Sequence, residues 1–181
     1  MMARLLLVAG IALTPMLSGC GLRPLYGGGS SGSVASALTQ VEVSPIEGKA
    51  GWLIATSLRD RLGASGSPRY RLDIRLDDQI VGLGVRQDDS VTRERRTLRA
   101  RFQLVDLTDS TVVVDATAGS DAGIDVVQSE YATIAAENTA LERLSGIVAD
   151  KIVARIALYA QQRGSGTETP PAAPPAPTPV P

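Results

Sequence analysis

The chain has 181 residues, of which 44% are hydrophobic and 20% charged, with a formal net charge of -1 and no histidine. That balance predicts no nucleic-acid partner. The missing histidine removes histidine-based triads, most zinc sites and the commonest general base. One domain is the natural reading of the length, and a single cysteine allows no internal disulfide.

The chain opens with Met1-Met2-Ala3-Arg4, a short basic start, followed by an apolar run from Leu5 to Leu17. That run falls short of the roughly 20 residues a membrane-spanning helix needs, and reads as a signal peptide over residues 1–19. Its end, Leu17-Ser18-Gly19-Cys20, resembles the lipobox of bacterial lipoproteins. The resemblance implies cleavage before Cys20 and acylation of its thiol, so that Cys20 anchors the chain in a membrane. Gly21 stands where an aspartate would signal inner-membrane retention, which implies the outer membrane. Loss of Arg4 with the leader takes the net charge from -1 to -2.

Residues 20–37 read as the lipidated cysteine and a tether, because Gly27-Gly28-Gly29-Ser30-Ser31-Gly32-Ser33 favours no regular structure. About 16 such residues would span roughly 20–24 Å, holding the domain at the membrane surface. The domain itself is expected over 38–163. Residues 164–181, "GSGTETPPAAPPAPTPVP", read as an extended proline-rich tail.

Within the domain, Thr39 to Ser44 alternates polar and apolar residues and stops at Pro45, as a strand would. Next, Ile54, Leu58 and Leu62 recur at spacing four beside Gly51 and Ala55, predicting a helix that ends at Gly63. Trp52 on this helix is expected to pack against the sheet. Tyr70, Leu72, Ile74 and Leu76 alternate with Arg71, Asp73, Arg75 and Asp77, a half-buried strand. The apolar phase switches near Ile80-Val81, before Gly82, and predicts a bulge. After a turn at Gln87–Ser90 the chain returns through Leu98, Ala100, Phe102 and Leu104. A further strand is expected from Thr111 to Thr117. From Glu130 to Gln162, apolar residues at intervals of three, four or seven predict a long helix capped by Ser129. Gly146 in its interior reads as a close-packing position or slight bend.

The order β-α-β-β-β-α predicts an α+β two-layer sandwich, a four-stranded and mainly antiparallel sheet with two helices on one face. The other face is polar. "CGLRPLYG" at the start, "GWLIATSLRDRL", "RARFQLVDLTDSTVV" and the final helix resemble the family of lipopolysaccharide-assembly lipoproteins. The resemblance implies an outer-membrane lipoprotein on the periplasmic side. It would plug a large β-barrel assembly protein, help that barrel fold, and assist delivery of lipopolysaccharide to the outer leaflet. Family members are described as binding lipopolysaccharide through basic residues. Tyr26, close to Cys20, would meet either lipid headgroups or the barrel wall.

The candidate ligand- or partner-binding residues are arginines. Arg93, Arg95, Arg99 and Arg101 share parity and should project at about 7 Å intervals along one strand. Arg71 and Arg75, with Arg69, are expected on the same face. Seven arginines then oppose only Asp73 and Asp77, an excess of five positive charges. Guanidinium groups grip phosphate through paired hydrogen bonds, so this row suits a multiply phosphorylated glycolipid head or a partner surface. The plainer alternative is a solvated face with weak ion pairs. Asp77-Asp78 and Asp88-Asp89 do not form a glycosidase pair, since strand neighbours face opposite ways and the second pair suits a turn. No enzyme activity and no cofactor are expected beyond the lipid on Cys20. Rival readings are an accessory lipoprotein of an ABC-type lipid transporter, or a cell-wall structural lipoprotein resting on the tail.

Overall fold

The computed structural model describes residues 32–63, 66–85 and 91–165. The signal peptide, Cys20, Tyr26, the first part of the tether, the Gln87–Ser90 turn and the tail beyond residue 165 lie outside the described residues. The elements run α1 (Ser33–Leu38), β1 (Val41–Val43), α2 (Gly48–Leu62), β2 (Tyr70–Val85), β3 (Val91–Asp106), β4 (Thr111–Asp125) and α3 (Glu130–Ser165). The sheet order is β1-β2-β3-β4. β1 pairs parallel to β2, and the longer strands form an antiparallel meander. This is the expected α+β sandwich, with one more helix than the sequence revealed. Short α1 forms where tether was expected, because Val34 and Leu38, one turn apart, reach the core.

One hydrophobic cluster joins the layers. Leu98, Ala100, Phe102 and Leu104 line the covered face of β3 and meet Ile54, Leu58 and Leu62 of α2. From α3 come Leu141, Leu144, Val148, Ile152 and Ile156. Trp52 overturns its expectation: it is 64% exposed. At 100° per residue it lies some 200° from Ile54, on the far side of α2. Nor is there a bulge at Ile80–Gly82, where pairing to β3 runs unbroken from Asp78↔Leu98 to Leu83↔Arg93. Ile80 is 41% and Val81 53% exposed, because β2 here lies at the margin of the helix layer, while Arg96 opposite Ile80 and Ile124 of β4 stay largely buried. The register shift lies elsewhere, between Leu104 and Val105 against β4.

Ser129 caps α3 as expected, its Oγ accepting from the Ala132 N–H at 3.4 Å. Among the described residues no helix is long and apolar enough to cross a membrane. Gly63, at φ 81°, closes α2 in a conformation that glycine adopts without strain.

Two interior glycines behave differently. A Cβ on Gly51 would sit 2.6 Å from the Ile46 carbonyl oxygen, whereas one on Gly146 would meet only the Arg61 guanidinium at 3.9 Å. Gly146 is therefore not a close-packing position. Gly146→Ala should raise stability by about 1 kcal/mol through helix propensity. Gly51→Ala should lower it by about 1–3 kcal/mol through overpacking. Parallel urea melts of the two variants check both signs.

Candidate functional site

Strand parity sorts the arginines. On β3 the even residues from Leu98 to Leu104 are buried, so the odd residues face away from the helices. Arg93, Arg95, Arg99 and Arg101 thus share the open face, joined by Arg71 and Arg75 of β2 through the antiparallel register. The expected row exists. Arg69 does not belong to it: its guanidinium turns to Asp106 at the end of the sheet, at 3.3 Å.

The expected excess of positive charge is absent. β4 continues past Thr117 to Asp125 and lays Asp115, Asp121 and Asp125 on the same face, beside β3. Glu42 of β1 stands opposite Arg71. With Asp73 and Asp77, six carboxylates face six arginines. The shared parity of Asp115, Asp121 and Asp125 was the available signal, hidden because "ATAGSDAGID" is mostly Ala, Gly, Ser and Asp, with only Thr117 and Ile124 β-branched and no aromatic residue.

Balance across the face does not mean pairing everywhere. Arg101 reaches Asp115 at 3.2 Å, Arg93 reaches Asp125 at 3.6 Å, and Arg71 folds back on Asp73 at 3.1 Å. Hydrogen bonds from Arg101 and Gln103 hold the Asp115 carboxyl below its ordinary value. For Asp73, burial pushes the carboxyl up. The Ser44 hydroxyl, donating at 2.6 Å, and Arg71 outweigh it and leave it lowered. Among the described residues, Arg75, Arg95 and Arg99 make no ion pair. Asp77 stands opposite Arg99 but accepts from the Gln79 amide instead. The Arg99 stem lies the other way, over Gly119, where a Cβ would be 3.1 Å from its Cγ.

The unpaired arginines concentrate in mid-sheet. Arg75 stands directly opposite Arg101, a like-charge pairing that is unfavourable without a bridging anion. Both line a cavity of about 440 Å³, open where β1 ends, with Ser44, Pro45, Asp73, Ile74 and Gln103. Arg99 lies about 7 Å from Arg101 along β3, and Arg95 about 13 Å further on, beyond Thr97. Such an arrangement can hold phosphate or carboxylate oxygens through parallel N–H donors.

Arg96 has a different task. It lies on the covered face with a side chain 11% exposed, and donates to both oxygens of Asp78 at 2.8 and 2.5 Å. A third bond, 2.9 Å to the Glu137 carbonyl, fastens the hairpin to α3. The hydrogen bonds to Asp78 raise its pKa above the ordinary arginine value.

At the opposite end of the sheet Asp106 is 3% exposed and accepts from the Thr108 N–H at 3.0 Å. It also takes Arg69 at 3.3 Å and Arg163 at 3.5 Å. The Thr108 backbone N–H leads the causes that hold its carboxyl below the ordinary value. A lowered carboxylate stabilises the fold at neutral pH, and that contribution fades as pH falls below about 4 and through the folded value. Asp106→Asn should therefore lower the melting temperature at pH 7 and flatten its decline under acid. A series of melts from pH 7 down to acid checks this.

Among the described residues no cluster of three potential metal ligands exists. Fold and site together define an α+β domain whose sheet is covered by helices on one side and bears an arginine cluster on the other. The chain belongs to the LptE family, described as lipopolysaccharide-assembly, whose profile matches residues 38–156. A structure described as that of a lipoprotein from Caulobacter crescentus is similar, with 28% identity and a TM-score of 0.61. The match covers 73% of this chain and 98% of that one. Rare lipoprotein B from Shewanella oneidensis shares the fold at 11% identity and a TM-score of 0.52, over 71% of this chain and 97% of that one. Lipoprotein B from Nitrosomonas europaea does so at 10% and 0.55, over 70% and 87%. A search of curated protein sequences finds no match.

Proposed function

We propose that this protein is a non-enzymatic lipoprotein, anchored through Cys20 to the periplasmic face of the outer membrane. There it plugs a β-barrel translocon, helps that barrel assemble, and assists delivery of lipopolysaccharide to the outer leaflet. Membership of the lipopolysaccharide-assembly family over nearly the whole folded domain carries this reading. The arginines narrow it. Among the described residues Arg75 and Arg99, with Arg95 further along β3, are the arginines whose donors remain open to the phosphates of a glycolipid head, while Arg71, Arg93 and Arg101 are engaged by Asp73, Asp125 and Asp115. Guanidinium recognition of this kind needs no catalytic group, only a rigid scaffold, and a central strand paired on both sides supplies one.

The test is photocrosslinking in living cells with probes at Arg95, Arg99 and Arg101, and a second set on the exposed faces of α2 and α3. Capture of a large β-barrel protein by either set, with lipopolysaccharide at the arginines, is the expected result. Failure to capture any barrel from either set would overturn the plug reading. Adducts on the helices but none at the arginines would overturn the ligand role of this face.

A further inference from the structure

A second cavity lies under the opposite end of the sandwich, between α1, the covered face of the sheet and the last turns of α3. Its volume is about 400 Å³, within the range of roughly 300–1,000 Å³ typical of ligand sites. Ala37, Val41, Leu104, Ile156, Tyr159 and Ala160 give it largely apolar walls. Two arginines from distant parts of the chain also line it, Arg69 ahead of β2 and Arg163 at the end of α3. Their guanidinium groups share one carboxylate, Asp106, which leaves one positive charge unbalanced there.

The arginines are held in place. Arg69 lies over the Tyr70 ring at 5.4 Å, and Arg163 over the Tyr159 ring at 5.8 Å. Arg163 also donates to the Tyr70 hydroxyl at 2.9 Å, and the two tyrosine rings meet edge to face at 6.4 Å. Each guanidinium has five N–H donors, and these contacts use only a few of them. About half of each side chain remains exposed. Free donors beside an apolar recess form a mixed site. An apolar chain would replace water inside, and an anionic end would take the spare donors at the rim.

We infer that this cavity binds a single-chain fatty-acid carboxylate, with the acyl chain between α1 and α3 and the carboxylate against Arg69 and Arg163. Charge decides the class. A neutral chain would leave the rim's net positive charge unanswered, and a bare anion would leave the recess wet. The site is separate from the arginine cluster on the open face and does not depend on its role.

The experiment labels the full-length protein in isolated envelopes with a diazirine analogue of dodecanoate, and maps the adducts by peptide mass spectrometry. Labelling is expected in the segments of α1 and α3 that line the cavity, and excess dodecanoate should compete it away. The matching diazirine alcohol should label that cavity much less. Arg69→Gln with Arg163→Gln should reduce labelling about tenfold, a loss of two charge-assisted bonds partly offset by remaining burial. Ala160→Phe should block it by filling the recess, and Arg155→Gln, an exposed arginine on the same helix, should leave it unchanged. Equal labelling by acid and alcohol would overturn the inference, as would labelling spread evenly over the helices or indifferent to the arginine pair. Circular dichroism melts of each variant separate loss of the site from loss of the fold.

Discussion

Replacing Arg75 and Arg99 together by glutamate is expected to abolish lipopolysaccharide capture by the purified protein, lowering affinity about a hundredfold or more. These side chains make no ion pair among the described residues, so their donors are open to a ligand. Reversal removes those donors and sets carboxylates against phosphate. Arg71→Glu should cost far less, about threefold, because the Arg71 guanidinium already serves Asp73 at 3.1 Å. The fold should tolerate the double change: glutamate at Arg75 relieves the like-charge pair with Arg101, which offsets the new one that glutamate at Arg99 makes with Asp77. Affinity for lipopolysaccharide at several salt concentrations, measured beside thermal melts, is the check. If Arg71→Glu matched the double variant, the pairing pattern would not mark the ligand site.

Phe102→Ala should have the largest effect on stability, about 3–5 kcal/mol. Phe102 is the one phenylalanine in the sequence, 1% exposed on the strand with neighbours on both sides. Truncation removes its apolar surface from the shared cluster of α2, β3 and α3. Because the sheet is braced by paired strands, the void cannot collapse fully, and the cavity cost adds to the lost transfer free energy. Against a typical total of about 5–15 kcal/mol, such a loss leaves little or no margin. A urea titration followed by far-ultraviolet dichroism should show the midpoint fall sharply. A shift equivalent to less than about 1 kcal/mol would mean the cluster repacks around the gap.

How far the sequence led depends on whether local pattern and tertiary context agreed. In β2 and β3 they agreed: Tyr70, Leu72 and Ile74, then Leu98, Ala100, Phe102 and Leu104, alternate as strands covered on one side must. In α2 and α3 the spacing of Ile54, Leu58 and Leu62, and of Leu141 to Ile156, located the buried stripes. The parity of Arg93, Arg95, Arg99 and Arg101 then followed, because side chains of a regular strand alternate by geometry alone. The phase change at Ile80-Val81 misled. It resembles a bulge, but it marks the stretch where β2 reaches the margin of the helix layer and both Ile80 and Val81 become exposed.

β4 shows the opposite failure. Its second half is built from small and acidic residues with weak strand preference, and it is extended because β3 offers a ladder of unpaired backbone groups beside it. That pairing brought Asp115 to Arg101 and Asp125 to Arg93, and so decided which arginines remain open. The cavity at the other end depended on still longer range, joining α1, Arg69, Asp106 and Arg163. Periodicity along the chain determined the two longer helices, the strands β2 and β3 with their buried faces, and the arginine row. The charge balance of that row and the cavity beneath the sheet depended on which strands and helices became neighbours, a choice made by burial and backbone pairing between segments far apart in the chain.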